Sequence, residues 1–152
     1  MTGAHPAVPT PTGWTIDHVG IAVPDLDAGA EPYRSLGLAV HEDEEVPDQN
    51  VRVRILRAGD GWIELLAPLH EDTPVARFLA SRGPGLHHLA FRVPDVDAAL
   101  RDAVRSGARA IDATPRDGRA GSRVAFLHPT WSGGVLIELV QPSPARPDRQ
   151  DS

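Results

Sequence analysis

The chain repeats itself, and this constrains its fold more than any single motif. Val23-Pro24-Asp25-Leu26-Asp27-Ala28 returns as Val93-Pro94-Asp95-Val96-Asp97-Ala98, an offset of 70 residues. The same offset carries His18 onto His88, Val19 onto Leu89, Ile21 onto Phe91 and Gly37 onto Gly107. A third echo, Ile63-Glu64-Leu65-Leu66-Ala67-Pro68, returns as Ile137-Glu138-Leu139-Val140-Gln141-Pro142 at an offset of 74. The difference between the offsets fits in a loop, where insertions cost little. Three echoes in the same order describe two copies of one module.

Each copy opens with an apolar stretch of strand character, 14–23 and 86–93. Pro24-Asp25 and Pro94-Asp95 end these stretches, and each Asp is placed to cap a helix. Val96, Ala99, Leu100, Ala103 and Val104 follow with helical spacing, and Gly107 stands where a helix end takes a left-handed residue. The first helix is less regular, because Pro32 kinks or shortens it. Three further strands are expected in each half, at 38–46, 51–58 and 61–67, then at 108–113, 122–127 and 134–140. Between the halves, Thr73-Pro74 supplies an N-cap and a first-turn proline for a linker helix ending near Gly83.

The fold class read from these elements is α+β, two tandem βαβββ modules; the resemblance described below implies that they form a curved, half-barrel-like sheet around a central metal site. One domain is expected over 14–142, with module one at 14–69, the linker helix at 73–82 and module two at 85–142. The segments 1–13 and 143–152 are rich in proline and polar residues and are expected to be disordered.

Composition removes several kinds of chemistry. There are no cysteines, so thiolate metal sites, cysteine nucleophiles and disulfides are excluded. All fifteen basic residues are arginine, which rules out lysine Schiff bases and a phosphate-loop lysine. A net charge of −6 argues against a nucleic-acid partner. No apolar run reaches the ~20 residues of a membrane span, no signal peptide is evident, and a cytoplasmic location is expected.

Strand parity then selects the candidate site. Side chains alternate across a strand, so Ile16, His18, Gly20 and Ala22 share one face and Val19, Ile21 and Val23 the other. In the second copy Leu86, His88, Ala90 and Arg92 share the face corresponding to that of His18, whereas His87 falls with the bulky residues that pack on the helices. Glu64 and Glu138 each lie inside an apolar strand, where a carboxylate is costly unless a cation or hydrogen bonds compensate it. One histidine and one glutamate at matching positions of each copy point to a shared cation on the pseudo-twofold axis. Imidazole and carboxylate donors suit a divalent Co, Ni, Mn, Fe or Zn ion. Four protein donors on an octahedral ion leave two positions for substrate oxygens.

Several segments carry a resemblance. They are Ile16-Asp17-His18-Val19-Gly20-Ile21-Ala22-Val23, Gly83-Pro84-Gly85-Leu86-His87-His88-Leu89-Ala90-Phe91, Phe126-Leu127-His128-Pro129 and Gly133-Gly134-Val135-Leu136-Ile137-Glu138-Leu139. Together with Ile63–Leu69 and Thr73–Leu79, they resemble the vicinal oxygen chelate superfamily and, within it, the methylmalonyl-CoA epimerase family. The resemblance implies a homodimer and a divalent ion, with cobalt the expected ion in vitro, held by His18, His88, Glu138 and Glu64. It implies an acyl-CoA substrate and epimerisation of (2R)- and (2S)-methylmalonyl-CoA, by C2 proton abstraction through a metal-stabilised enolate.

Glu138 matches a family residue discussed as both ligand and acid/base. A second glutamate proposed in some relatives falls on Val53, which cannot transfer protons. Glu44, Glu45 and Asp48 are nearby loop charges, and Asn50 replaces a glycine in a turn whose left-handed conformation Asn tolerates. His128 is either a strand-end residue or a substrate contact, while His41 and His70 are expected at the surface. Arg116, Arg119 and Arg123 are candidates for the coenzyme A phosphates, with nothing in their spacing to choose among them. Two alternatives share the fold: a glyoxalase I-like lyase or other chelating enzyme, and a metal-free binding or resistance module.

Overall fold

The computed structural model describes residues 12–144, so most of the two tails expected to be disordered lies outside the described residues. Module one runs β1 (Thr15–Ala22), α1 (Leu26–Ser35), β2 (Ala39–Val46), β3 (Val51–Ala58) and β4 (Gly61–Pro68). The linker helix α2 (Pro74–Arg82) leads to module two: β5 (Gly85–Arg92), α3 (Val96–Arg105), β6 (Arg116–Asp117), β7 (Arg123–Leu127) and β8 (Leu136–Gln141). The strands form one 8-stranded sheet in the order β2-β3-β4-β1-β5-β8-β7-β6, curled into a half barrel. Within each module the first strand pairs in parallel with the last, β1 with β4 and β5 with β8. The two modules join at the centre through antiparallel β1 and β5.

The helices start and stop for the local reasons their sequences contain. The Asp25 side chain accepts a hydrogen bond from Asp27 N and the Asp95 side chain one from Ala98 N, capping α1 and α3. Thr73 caps α2 through Ala76 N, with Pro74 in the first turn. Gly37 and Gly107 follow α1 and α3 with φ of +93° and +104°, the backbone turn their positions required. Pro32 is tolerated inside α1, which still reaches Ser35.

Alternation divides each sheet face as parity requires. Leu26 and Ala30 of α1 pack with Ile21, Val23, Leu56 and Leu65 on one face. The matching face of module two receives Val96, Ala99 and Leu100 of α3 against Phe91, Ala125 and Leu139. On the opposite face, Ala22, Val53, Ile55 and Leu66 pack with Val75 of α2. Each fully buried aliphatic side chain of this kind stabilises the fold by about 1.5–3 kcal/mol.

One expected strand is not formed. The segment 108–113 contributes only an isolated bridge between Ala110 and Leu127, and β6 is a two-residue strand beyond Pro115. The sequence Asp112-Ala113-Thr114-Pro115 offers few branched residues, and proline interrupts an edge ladder. Module two therefore keeps its βαβββ order with its outermost strand nearly lost. Among the described residues, no helix is long and apolar enough to cross a membrane.

Candidate metal centre

The face of β1 that carries His18 meets the face of β5 that carries His88 at the seam. In the ladder Gly20 lies opposite His88 and His18 opposite Ala90, so the two histidines sit on a diagonal. Gly20 also lies beside Glu64 on β4, and Ala90 beside Glu138 on β8. Gly20 is required by this approach: a Cβ there would lie 2.1 Å from His88 Cε1. Parallel pairing within each module and antiparallel pairing between them thus bring four residues from four strands together. All four are buried.

The donor atoms converge. His18 Nε2 lies 2.9 Å from His88 Nε2, 3.1 Å from Glu64 Oε2 and 3.2 Å from Glu138 Oε2. His88 Nε2 lies 3.1 Å from Glu138 Oε2. Donors about 2.1 Å from a common ion and at right angles to one another would sit about 3.0 Å apart, which matches these separations. His18, Glu64 and His88 offer ligand atoms all within 4.8 Å of one another and could hold a metal ion. Two imidazoles and carboxylates form a donor set suited to a first-row divalent ion.

The electrostatics of these residues fit the same view. Burial alone would push the His18 imidazolium down, but Glu64, Asp17 and Glu138 outweigh it and raise its pKa to about 10. Burial would likewise raise the Glu138 carboxyl, yet hydrogen bonds and charge from His18 and His88 hold it well below the usual carboxylate range. The imidazole crowded by these carboxylates thus retains a proton, a positive charge where a bound cation would otherwise balance them.

The residue before each of these histidines supports it, which strand parity does not reveal. Asp17 is buried, and its Oδ2 lies 2.7 Å from His18 Nδ1, brought round by an irregularity in the ladder between Ile16 and His18. His87 Nδ1 lies 2.9 Å from His88 Nδ1, and its ring stands edge-on to Phe78. Burial, then the adjacent His88, pushes the His87 pKa down to about 4, so His87 is neutral and able to accept from His88. Partners of this kind fix the tautomer and orientation of a ligating histidine. The repeat holds the signal, since Asp17 and His87 are also 70 residues apart.

Arg119 is the other residue that its sequence context did not single out. It sits on the 118–122 loop of module two, where Ala120 and Gly121 have φ of +54° and +74°. The left-handed conformation costs a non-glycine residue such as Ala120 about 1–2 kcal/mol. The side chain is only 8% exposed and crosses to module one, where Nη1 donates to Glu42 Oε1 at 2.6 Å and Glu44 Oε2 at 3.1 Å. Its Nε lies 3.5 Å from Glu64 Oε1. Arg119, Val53, Ser122 and the four converging residues lie around one small cavity, all but His88 in its direct lining.

The remaining candidates are placed elsewhere. Val53 lines the cavity and carries no proton. Glu45 pairs with Arg52 at the surface, Asp48 is exposed, and Asn50 adopts φ of +55° as its turn requires. His128 directly follows β7, where Thr130 N donates to its Nδ1, and it lies outside the direct lining of this cavity. His41 is exposed beside Trp62, and His70 is exposed. Arg116 lies over the Phe126 ring and Arg123 pairs with Asp97, so neither joins Arg119 in the cavity.

Comparison with known proteins gives a concordant result. Residues 17–126 match the family model of the glyoxalase/bleomycin resistance protein/dioxygenase superfamily. The ethylmalonyl-CoA/methylmalonyl-CoA epimerase of Cereibacter sphaeroides is 41% identical over 129 residues, covering 83% of this chain and 96% of that protein. The crystal structure of the methylmalonyl-CoA epimerase from Mycobacterium tuberculosis superposes with a TM-score of 0.81 at 46% identity, covering 86% of this chain and 89% of that one. A variant of the Streptomyces coelicolor methylmalonyl-CoA epimerase, in complex with 2-nitronate-propionyl-CoA, gives a TM-score of 0.80 at 43% identity, with 84% and 96% covered. The chain belongs to the glyoxalase/bleomycin resistance protein/dioxygenase superfamily and, within it, to the methylmalonyl-CoA epimerase family.

Proposed function

We propose that this chain interconverts (2R)- and (2S)-methylmalonyl-CoA, with His18, Glu64, His88 and Glu138 as ligands of a divalent ion. The observation that carries the reading is the meeting of these four buried side chains, two from each copy, around His18 Nε2. Relatives named for this reaction match over most of the chain and support it. In the same reading the working form is a cytoplasmic homodimer, and cobalt serves as the ion in vitro.

The hydrogen at C2 of this substrate lies between a thioester carbonyl and a carboxylate. The electron pair left by its proton can therefore spread onto the thioester oxygen. A divalent ion, when bound, supplies Lewis acidity toward such oxygens. The chain's own part is to hold the acyl group away from water and to move the proton. Glu138 is buried at the cavity and serves as one acid/base. Inversion is simplest with a second group on the opposite face of C2. With Val53 unable to serve, Glu64 is the other carboxylate lining the cavity, and we assign it the complementary transfer. Glu64→Gln should then retain the fold and abolish epimerisation, and Val53→Glu in that background should restore part of it. Unchanged turnover by the single variant would remove Glu64 from the proton path.

The deciding experiment is solvent deuterium incorporation at C2 of methylmalonyl-CoA, with and without a chelator. Exchange that requires the ion is expected. Turnover of the methylglyoxal–glutathione hemithioacetal without such exchange would instead identify a glyoxalase-type lyase. Stabilisation by ligand without turnover of either compound would identify a binding module.

A further inference from the structure

The cavity beside the four converging residues has about 10 Å³ of free space. That is room for about one water molecule, and an acyl group cannot enter it as it stands. Arg119 lines this cavity and reaches across it to the carboxylates of β2. Its guanidinium is buried, its Nη1 is divided between Glu42 and Glu44, and its Nε hydrogen has no acceptor. A buried guanidinium with an unused donor, next to Glu64, is poised for a planar acceptor that can take two hydrogen bonds. A carboxylate is such an acceptor. A thioester lacking one is not.

We propose that Arg119 is a substrate-binding residue that exchanges Glu42 and Glu44 for the free carboxylate of a malonyl-type thioester, and so selects dicarboxylic over monocarboxylic acyl-CoA. The inference rests on the acyl-CoA reading of the site and adds the group that sets its specificity. The exchange also explains how the cavity opens. The 118–122 loop, anchored in module two, shifts its arginine from the β2 carboxylates to the incoming one. Glu42 and Glu44 are then competitors of the substrate, each about one-third exposed and able to turn to water once released.

Binding, measured without turnover, separates the possibilities. The full chain supplemented with Co²⁺ is titrated calorimetrically with malonyl-CoA and with propionyl-CoA, which differ by the carboxylate. Wild-type protein is expected to favour malonyl-CoA. Arg119→Gln should weaken malonyl-CoA by about tenfold to a hundredfold and leave propionyl-CoA nearly unchanged, the range set by a lost hydrogen-bonded charge. Glu44→Gln should tighten malonyl-CoA severalfold, because it removes a competitor. This second variant also keeps the test open if Arg119→Gln folds poorly. Wild-type preference retained in Arg119→Gln, or weaker malonyl-CoA binding in Glu44→Gln, would show that Arg119 only braces the two modules. No preference in the wild-type protein would overturn the malonyl-thioester reading itself.

Discussion

At the scale of single residues, the site depends on contacts that fix the direction of each imidazole. Gly20 is the most demanding of them, because any side chain there meets the His88 ring. Gly20→Ala should cost about 1–3 kcal/mol of stability through overpacking. It should also weaken metal binding, since His88 is the group displaced, and calorimetric metal titration alongside denaturant unfolding would separate the two losses. Asp17→Asn and His87→Ala should each lower metal affinity by about 10–100-fold while leaving the proposed ligands in place. Parity placed His87 among residues that only pack. Its contact with His88 Nδ1 instead predicts a loss of metal affinity, and a stability loss with unchanged affinity would restore the simpler role. The His/Glu quartet was legible because each member stands in an apolar strand and has a counterpart in the other copy. Arg119 was not, since its position depends on a loop crossing between modules and no local pattern records that.

At the scale of elements, alternation and capping located most of the structure. β1, β3 and β5 stand within a residue of their expected limits, and α2 spans the helix that Thr73-Pro74 announced. The failed strand shows where that logic stops. An edge segment has one neighbour, so its state depends on whether that partner can hold it, and β7 is held chiefly by β8. The opposite edge is secured differently. Arg54 on β3 donates to Asp43 on β2 and to Asp27 on α1, tying three elements together. Its guanidinium, chiefly through hydrogen bonding, holds the Asp43 carboxyl below its ordinary value. A depressed carboxylate stabilises the fold above its unfolded pKa, and this contribution fades as pH falls through the folded one. Because Asp43 is nearly half exposed, Arg54→Met should cost only about 0.5–1 kcal/mol at neutral pH. The gap between variant and wild type should close below pH 3.8, the ordinary value of the group, and denaturant curves at several pH values would measure it.

At the scale of the whole molecule, the two copies form one unit through the β1–β5 seam, and the proposed donor set takes one histidine and one glutamate from each. An ion bound by both stabilises only the state in which both are folded. At a free concentration 100 times its dissociation constant, it should add about 2.7 kcal/mol, or roughly 10 °C in melting temperature for a chain of this size. His18→Ala should abolish that increment, and a scan with and without Co²⁺ would show it. The duplication made this joint architecture readable, because a repeat that places matching ligands on its first and last strands has few ways to bring them together.

The seam itself has a consequence for molecular traffic. β1 and β5 are stitched by backbone hydrogen bonds directly beneath the four donors. Prying the halves apart would break that stitching and scatter the donors at the moment they are needed. Exchange of a bound molecule over the rim, where the 118–122 loop rests on β2, would leave that stitching intact. The outer strands and loops can then be remodelled for new guests without disturbing the chemistry at the spine.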